Sequence, residues 1–282
     1  MSIRPTRAMC ALGSVVFAAA ATADYQSLDY RIAAVNAVDT GADPNWTVEI
    51  WAVMDVGDRL DAVAGDATNF KTLSTTGYFY QNAFGGPTSQ SINPALFSTF
   101  PSLEYDSWVT IGAMDSTGYP YGSNALSDIG IDWTDFENGG TLATTNGTWF
   151  ITPKDEQGES IAFENAGCQT MNGTLVARVT VVGNAPSVSF VALLQGRDGA
   201  GTTWQAYDSI DIDLGSMTDC NNNGVPDGID ISFGVSQDCN GNLRIFKWCI
   251  GNKPSMVAKS LWSFLILVRT KGNYLRSPGF AS

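Results

Sequence analysis

Oxygen-bearing residues recur at alternate positions between residues 219 and 230. Aspartate or asparagine occupies positions one, three, five, nine and twelve of this segment, and Gly224 occupies position six. Calcium takes six to eight oxygen ligands, and a loop of this spacing turns sharply at its glycine and adds a main-chain oxygen at position seven. The sequence therefore predicts a calcium site with these ligands: Asp219, Asn221, Asn223, Val225 through its carbonyl, Asp227 and Asp230.

The opening of this segment recurs as Asp238-Cys239-Asn240-Gly241-Asn242. The alternative is that this segment is an Asn/Gly-rich linker. Such a linker is not expected to repeat the pattern Asp-Cys-Asn-x-Asn. Residues 219–242 resemble bacterial dockerin and thrombospondin type 3-like calcium repeats, whose loops are EF-hand-like. The resemblance implies calcium-dependent folding of residues 216–242 and a role in anchoring, display or protein–protein contact.

The repeat segment departs from this pattern in three places. Asp230 stands where a bidentate glutamate is usual, which shortens the reach of that ligand. Gly228 and Ile229 stand where the repeat form often carries a second cysteine. Leu243 stands at the glycine position of the second repeat, and no aspartate follows it. The second repeat is therefore truncated, and a paired dockerin is not predicted.

Residues 1–23 have the pattern of a secretory signal peptide. Arg4 and Arg7 precede an apolar stretch rich in small residues, and Ala21-Thr22-Ala23 has the form of a cleavage site. The stretch is too short for a membrane span. We therefore expect a secreted, extracellular or cell-surface protein with no transmembrane span in the mature chain.

The cysteines fit an oxidising compartment. Four of them follow the predicted leader: Cys168, Cys220, Cys239 and Cys249. Cys220 and Cys239 hold equivalent positions in the two repeats, so a bridge between them is one prediction. A bridge between Cys239 and Cys249 is the other, and it approximates the within-repeat pair that the resemblance implies. Cys168 is expected to be a buried structural cysteine.

Charge and composition exclude several functions. Residues 24–242 hold all 28 acidic residues and only six of the 15 Lys and Arg, a net charge of −22. Nucleic-acid binding needs clustered Lys and Arg, so it is not expected. Histidine is absent, which excludes Ser-His-Asp and Cys-His nucleophile systems and HExxH metal sites. Carboxylate chemistry of the glycosidase type is not excluded.

Residues 24–215 alternate apolar and polar side chains at a period of two, which is typical of half-buried strands. Strands are predicted at 30–38, 46–54, 78–81, 108–114, 149–152, 174–182 and 187–194. In the sixth of them, the alternation predicts that Leu175, Ala177, Val179 and Val181 share a face. Gly, Asn and Pro turns separate the runs. The pattern predicts a mainly β fold, an antiparallel β-sandwich, with a jelly roll or irregular barrel left open.

Two further features of residues 24–215 have more than one interpretation. The long loop 81–106 carries Phe84, Phe97, Phe100 and Tyr105. We expect these rings to fold back and close one end of the sandwich; the alternative is a sugar-binding aromatic platform. A second cluster, around Trp133, offers a cation or sugar site through Asp128, Asp132, Asp135 and Glu137.

Residues 243–282 contain seven Lys or Arg and no acid. Three interpretations compete: a frameshifted or read-through tail, a basic anchor held near an acidic surface, and a sorting tail. The loss of the second repeat in mid-motif favours the frameshift, which predicts local disorder or a poorly packed helix.

Together these features predict a secreted, non-enzymatic protein with an extracellular protein or polysaccharide partner. The alternative is a carbohydrate-binding or carbohydrate-active β-sandwich. Its candidate carboxylates form no pattern that identifies an acid and a nucleophile; they are Asp132, Asp135, Glu137, Asp155, Glu156 and Glu159.

Overall fold

A computed structural model describes residues 25–167 and 169–215. The predicted signal peptide, the calcium loop, the second repeat, the basic tail and all four cysteines named above lie outside these residues. Within them the chain is mainly β, as predicted, and its two antiparallel sheets form a sandwich.

Thirteen strands and one short helix make up the regular structure of the described residues. The strands are β1 (Ser27–Val35), β2 (Asn45–Val53), β3 (Arg59–Gly65), β4 (Lys71–Thr75), β5 (Tyr78–Phe79), β6 (Trp108–Val109), β7 (Ser127–Ile129), β8 (Leu142–Thr144), β9 (Gly147–Phe150), β10 (Ile161–Glu164), β11 (Thr170–Val182), β12 (Ser187–Arg197) and β13 (Thr203–Asp213). The helix is α1 (Thr134–Glu137). Short 3₁₀ helices lie at Ser89–Ser91, Pro94–Leu96, Pro101–Tyr105 and Glu156–Gly158.

Each sheet is built on one long strand. In the first sheet β11 pairs with β2 along one side, and with β10, β6 and β5 in turn along the other; β1 extends the sheet beyond β2. In the second sheet β12 pairs with β13 on one side and with β3 and β4 on the other. β9 and β7 continue from β3, and β8 continues from β4.

The main core lies between the two sheets. Alternate residues of β2, such as Val48 and Ile50, meet alternate residues of β12, such as Phe190 and Leu194, in one cluster of buried side chains. The period of two in the sequence places these residues on one face of each strand. This alternation is why the sandwich could be predicted.

A bulge in β11 corrects the prediction that all four of these side chains lie on one face of the strand. The register with β2 shifts between Leu175 and Ala177. As a result Ala177, Val179 and Val181 face the main core as predicted, whereas Leu175 lies in a second cluster with Trp51 and Val53. One extra residue in a strand reverses the side chains on one side of it.

The long loop 81–106 packs over the outer face of the first sheet. Ile92 and Leu103 are buried there in the second cluster, and Phe97 and Phe100 pack against it. Phe84 stays half exposed and stacks on Phe100 at 4.1 Å. The three phenylalanine rings therefore fold back as expected, but they cover the outer face of the first sheet and not an end of the sandwich.

Three charged residues cross the first sheet side by side. Glu49 of β2 lies opposite Arg31 of β1 and Arg178 of β11 in the strand registers. Arg31 Nε donates to Glu49 Oε2 at 2.6 Å, and Arg178 Nη1 lies 3.6 Å from Glu49 Oε1. Glu49 is fully buried. The two arginines therefore compensate a carboxylate that water does not reach.

Lys71 is a fully buried lysine of β4. Its Nζ lies 3.7 Å from the ring centroid of Trp149 and donates to the Val63 carbonyl at 2.9 Å. Burial lowers the pKa of Lys71 to about 6, while the charge of Asp128 partly opposes this decrease. The side chain is therefore largely uncharged at neutral pH.

Candidate functional site

The calcium ligands predicted at Asp219, Asn221, Asn223, Val225, Asp227 and Asp230 all lie outside the described residues. The structure of the β-sandwich is therefore described without these ligands. A site on the sandwich has to be sought in the side chains that the fold brings together within residues 25–167 and 169–215.

The acidic cluster around Trp133 does not converge on a point. Asp128 Oδ1 accepts a hydrogen bond from Trp133 Nε1 at 3.3 Å, and Asp132 Oδ1 accepts one from the Thr134 amide at 3.0 Å. The bond to Thr134 lowers the pKa of Asp132, which is fully exposed. No group of three or more acidic or cysteine residues that could hold a metal ion occurs among the described residues.

Of the remaining candidate carboxylates, Asp155 has a structural role. Its Oδ2 accepts from the amide and the hydroxyl of Thr152 at 3.0 and 2.7 Å, which closes a turn after β9.

A cleft of about 390 Å³ lies where three segments meet. The loop between β1 and β2 forms one wall, β5 with the two residues after it forms the second, and the C-terminal end of α1 forms the third. The lining residues are Asp39, Thr40, Tyr78, Phe79, Tyr80, Gln81, Glu137, Asn138 and Gly139. The cleft is wide open to solvent, so a molecule lying in it would stay largely in contact with water.

Close backbone contact between β5 and the end of α1 shapes this cleft. The Phe79 amide donates to the Gly139 carbonyl at 2.9 Å, and the Phe79 ring packs on Phe136 with centroids 5.4 Å apart. Gly139 has φ of +82°, and a Cβ at this position would lie 2.8 Å from the Phe79 carbonyl oxygen. A glycine is therefore required where the two walls join.

Two acceptors lining the cleft have no hydrogen-bond partner. Gln81 Nε2 donates to the Phe136 carbonyl at 2.9 Å, which fixes the amide, but Gln81 Oε1 accepts no bond. Glu137 Oε1 is likewise buried without a donor, and burial raises the pKa of this carboxyl group. Both oxygens are closed to solvent, so they lie beneath the surface of the cleft and are not presented on it.

Asp106 holds the segment that follows the cleft. Its Oδ1 accepts from the Asn82 amide at 2.7 Å and its Oδ2 from the Gly86 amide at 3.1 Å. Burial raises the pKa of Asp106 to about 7 and outweighs the backbone N–H bonds, which lower it. The carboxylate therefore anchors the start of the long loop beside Gln81.

Replacing Asp106 by asparagine is expected to lower the free energy of unfolding by about 1 kcal/mol at pH 4, where the raised pKa of Asp106 keeps the buried carboxyl group neutral in the folded chain. The amide group can accept only through its oxygen, so one backbone N–H loses its partner in a buried place. Urea titration checks this, with Asp43→Asn as the control because Asp43 is exposed. Equal stability of the two variants would contradict the anchoring role.

The sequence did not predict the cleft as a site, although some of its lining residues belong to features that were predicted. The run 78–81 was predicted as a strand, Asp39 and Thr40 directly follow the predicted strand 30–38, and Glu137 belonged to the acidic cluster around Trp133. Only the paired strands and α1 bring these three segments together. The spacing of residues along the chain does not predict contacts between segments that are this far apart in the sequence.

No known protein family, no curated protein and no solved structure matches this chain. In the described ranges there is also no helix long and apolar enough to cross a membrane.

Proposed function

We propose that this chain is an exported, non-enzymatic extracellular or cell-surface protein whose C-terminal segment binds calcium and anchors or displays the β-sandwich. The observation that carries the proposal is the oxygen-ligand spacing of residues 219–230, whose opening recurs at Asp238. The leader-like residues 1–23 support export.

The acidic body agrees with this proposal. With a net charge of −22 over residues 24–242, the protein attracts divalent cations and repels nucleic acid. A partner is therefore sought among extracellular proteins and polysaccharides. The truncated second repeat restricts the proposal to one complete calcium loop.

Replacing both Asp219 and Asp227 by alanine is expected to weaken calcium binding by at least about 100-fold, because the loop loses two of its three carboxylates. Competition against a chromophoric calcium chelator measures the affinity. Asn222→Ala is the matched control, since position four of the loop supplies no ligand. Retention of wild-type affinity in the double variant would contradict the proposed loop.

A second candidate function is saccharide binding by the sandwich itself. The specific observation that favours it is the cleft lined by Tyr78, Tyr80, Gln81 and Glu137. Binding of neutral polysaccharides by the intact protein, without release of shorter products, would support this function. Release of shorter products would instead support a carbohydrate-active enzyme.

A further inference from the structure

The loop between β1 and β2 contains the Asp43–Pro44 bond, which is the one Asp–Pro bond of the sequence. In such a pair the aspartate carboxylate can close a five-membered ring onto the carbonyl carbon of its own residue. Proline favours this reaction in two ways. Its nitrogen belongs to a tertiary amide, so it leaves as a basic secondary amine. It also has no N–H, so the competing attack of the backbone nitrogen on the aspartate side chain is blocked.

The carbonyl group of this bond accepts a hydrogen bond from a side chain of the same loop. Thr40 Oγ1 donates to the Asp43 carbonyl oxygen at 2.6 Å. Thr40 Oγ1 in turn accepts from Asn45 Nδ2 at 3.0 Å, and the same Nδ2 donates to the Val38 carbonyl at 2.9 Å. Asn45 is buried. The hydroxyl is therefore held against the oxygen on which negative charge develops when the carbonyl carbon is attacked.

The attacking group and water both have access to this bond. The Asp43 side chain is exposed, and it has no hydrogen-bond or ion-pair partner among residues 25–167 and 169–215. Its carboxylate can therefore turn toward the backbone. Pro44 is half-buried, and its carbonyl accepts from the Gly183 amide at 3.1 Å, directly after β11. The leaving side of the bond is thus held in place while the attacking carboxylate remains able to move.

We propose that the chain cleaves itself between Asp43 and Pro44. A carboxylate oxygen of Asp43 attacks the carbonyl carbon of the same residue, and the Thr40 hydroxyl stabilises the oxyanion. The bond to the Pro44 nitrogen then breaks, and its electron pair stays on the nitrogen, which takes a proton from the solvent. Water opens the cyclic anhydride that remains. The net reaction is the hydrolysis of one peptide bond in a single intramolecular turnover.

The two fragments stay together in the fold after cleavage. The N-terminal fragment contains β1, which pairs with β2 along its length. The Tyr25 hydroxyl donates to Asp208 Oδ2 at 2.6 Å, and the Tyr25 ring stacks on Trp204 with centroids 5.6 Å apart. Both contacts tie this fragment to β13 of the second sheet. The product is a nicked sandwich, whose first strand stays bound without a covalent link to the calcium segment.

The test incubates the full chain for days at pH 5 and follows it by mass spectrometry. We expect two fragments, one ending at Asp43 and one starting at Pro44, whose masses sum to that of the intact chain plus one water. The comparison is the same chain unfolded in urea at this pH. The folded chain is expected to be cleaved at least about tenfold faster, because the fold holds the Thr40 hydroxyl on the carbonyl. Circular dichroism establishes that the sample without urea is folded.

Substitutions separate the attacking group from the donor. Asp43→Ala is expected to abolish cleavage. Asp211→Ala is its matched control and keeps the wild-type rate, since Asp211 is exposed and is not followed by proline. Thr40→Val keeps the shape of the side chain and removes the donor, so it is expected to slow cleavage about tenfold. Thr40→Ser keeps a hydroxyl group and should retain most of the rate.

Two results would overturn the proposal. One is the absence of cleavage in the folded chain. The other is an equal rate in the folded and the urea-unfolded chain, or an unchanged rate in Thr40→Val, since the bond would then show only the reactivity of any Asp–Pro pair. Size-exclusion chromatography of the cleaved protein should give both fragments in one peak that separates only in urea. Release of the N-terminal fragment without urea would contradict the nicked sandwich.

Discussion

Replacing Glu49 by glutamine lowers the free energy of unfolding by about 3 kcal/mol. Removing one partner of a buried ion pair leaves the other charge without compensation, which typically costs about 3–5 kcal/mol. Arg178 is only 9 % exposed and its Nε has no other partner, so it bears most of this cost. Arg31 is more exposed and can regain water. Urea titration at neutral pH measures the loss.

The control is Glu164→Gln on strand β10 of the same sheet, where the side chain is exposed. It is expected to change stability by less than about 0.5 kcal/mol. A double-mutant cycle with Arg178→Met should show that the two substitutions together cost less than their sum. Additive costs, or a loss below about 1 kcal/mol for Glu49→Gln, would mean that the carboxylate and Arg178 are not coupled.

Replacing Lys71 by methionine is expected to stabilise the protein at pH 7 and to remove a pH dependence that the wild type shows. The pKa of Lys71 is about 6 in the folded chain, against 10.5 for an ordinary lysine. Between these values the unfolded chain binds a proton that the folded chain does not, so stability rises with pH over this window. From pH 7 to pH 10 the wild type should gain about 4 kcal/mol.

Measurements above pH 7 separate the contribution of Lys71 to the pH dependence of stability from the contribution of Asp106. That carboxyl has a pKa of about 7 in the folded chain, so its contribution to stability decreases as pH rises from about 4 to 7 and is nearly constant above that. Thr148 also donates to the Val63 carbonyl, at 3.0 Å, so Lys71→Met leaves this carbonyl with a donor. Lys154→Met, at an exposed position, should keep the wild-type slope; the same slope in Lys71→Met would contradict the lowered pKa.

The alternation of side chains made the sandwich predictable. All seven predicted runs contain observed strands, because burial on one face imposes a period of two on the sequence. The run 108–114 is a strand only at Trp108–Val109. Farther along the same run, Gly112 has φ of +72°, which is not a strand conformation.

Six observed strands lie outside the predicted runs, namely β3, β4, β7, β8, β10 and β13, and four of them carry an acidic residue. β13 places Asp208 and Asp211 among its apolar residues, and aspartate is rare in strands. Asp208 is tolerated there because its Oδ2 accepts from the Tyr25 hydroxyl at 2.6 Å and from the Leu28 amide at 3.3 Å. These partners lie about 180 residues earlier in the chain, so no local pattern could identify them.

The burial of the charged residues could not be predicted from the sequence either. Lys71 looks like any polar residue at the edge of a strand, and only the position of Trp149 over its Nζ shows why it is buried. The bulge at Leu175 depends on the register with β2, not on β11 alone. Periodicity predicts the layers of this fold, whereas the cleft and the charged clusters come from contacts between distant segments.

The central claim is that the chain carries one working calcium loop, and the number of calcium ions bound per chain tests it most directly. Isothermal titration calorimetry of the intact protein should give saturable binding near one equivalent, since the first repeat has a full ligand set and the second breaks at Leu243. An absence of saturable binding would contradict the claim.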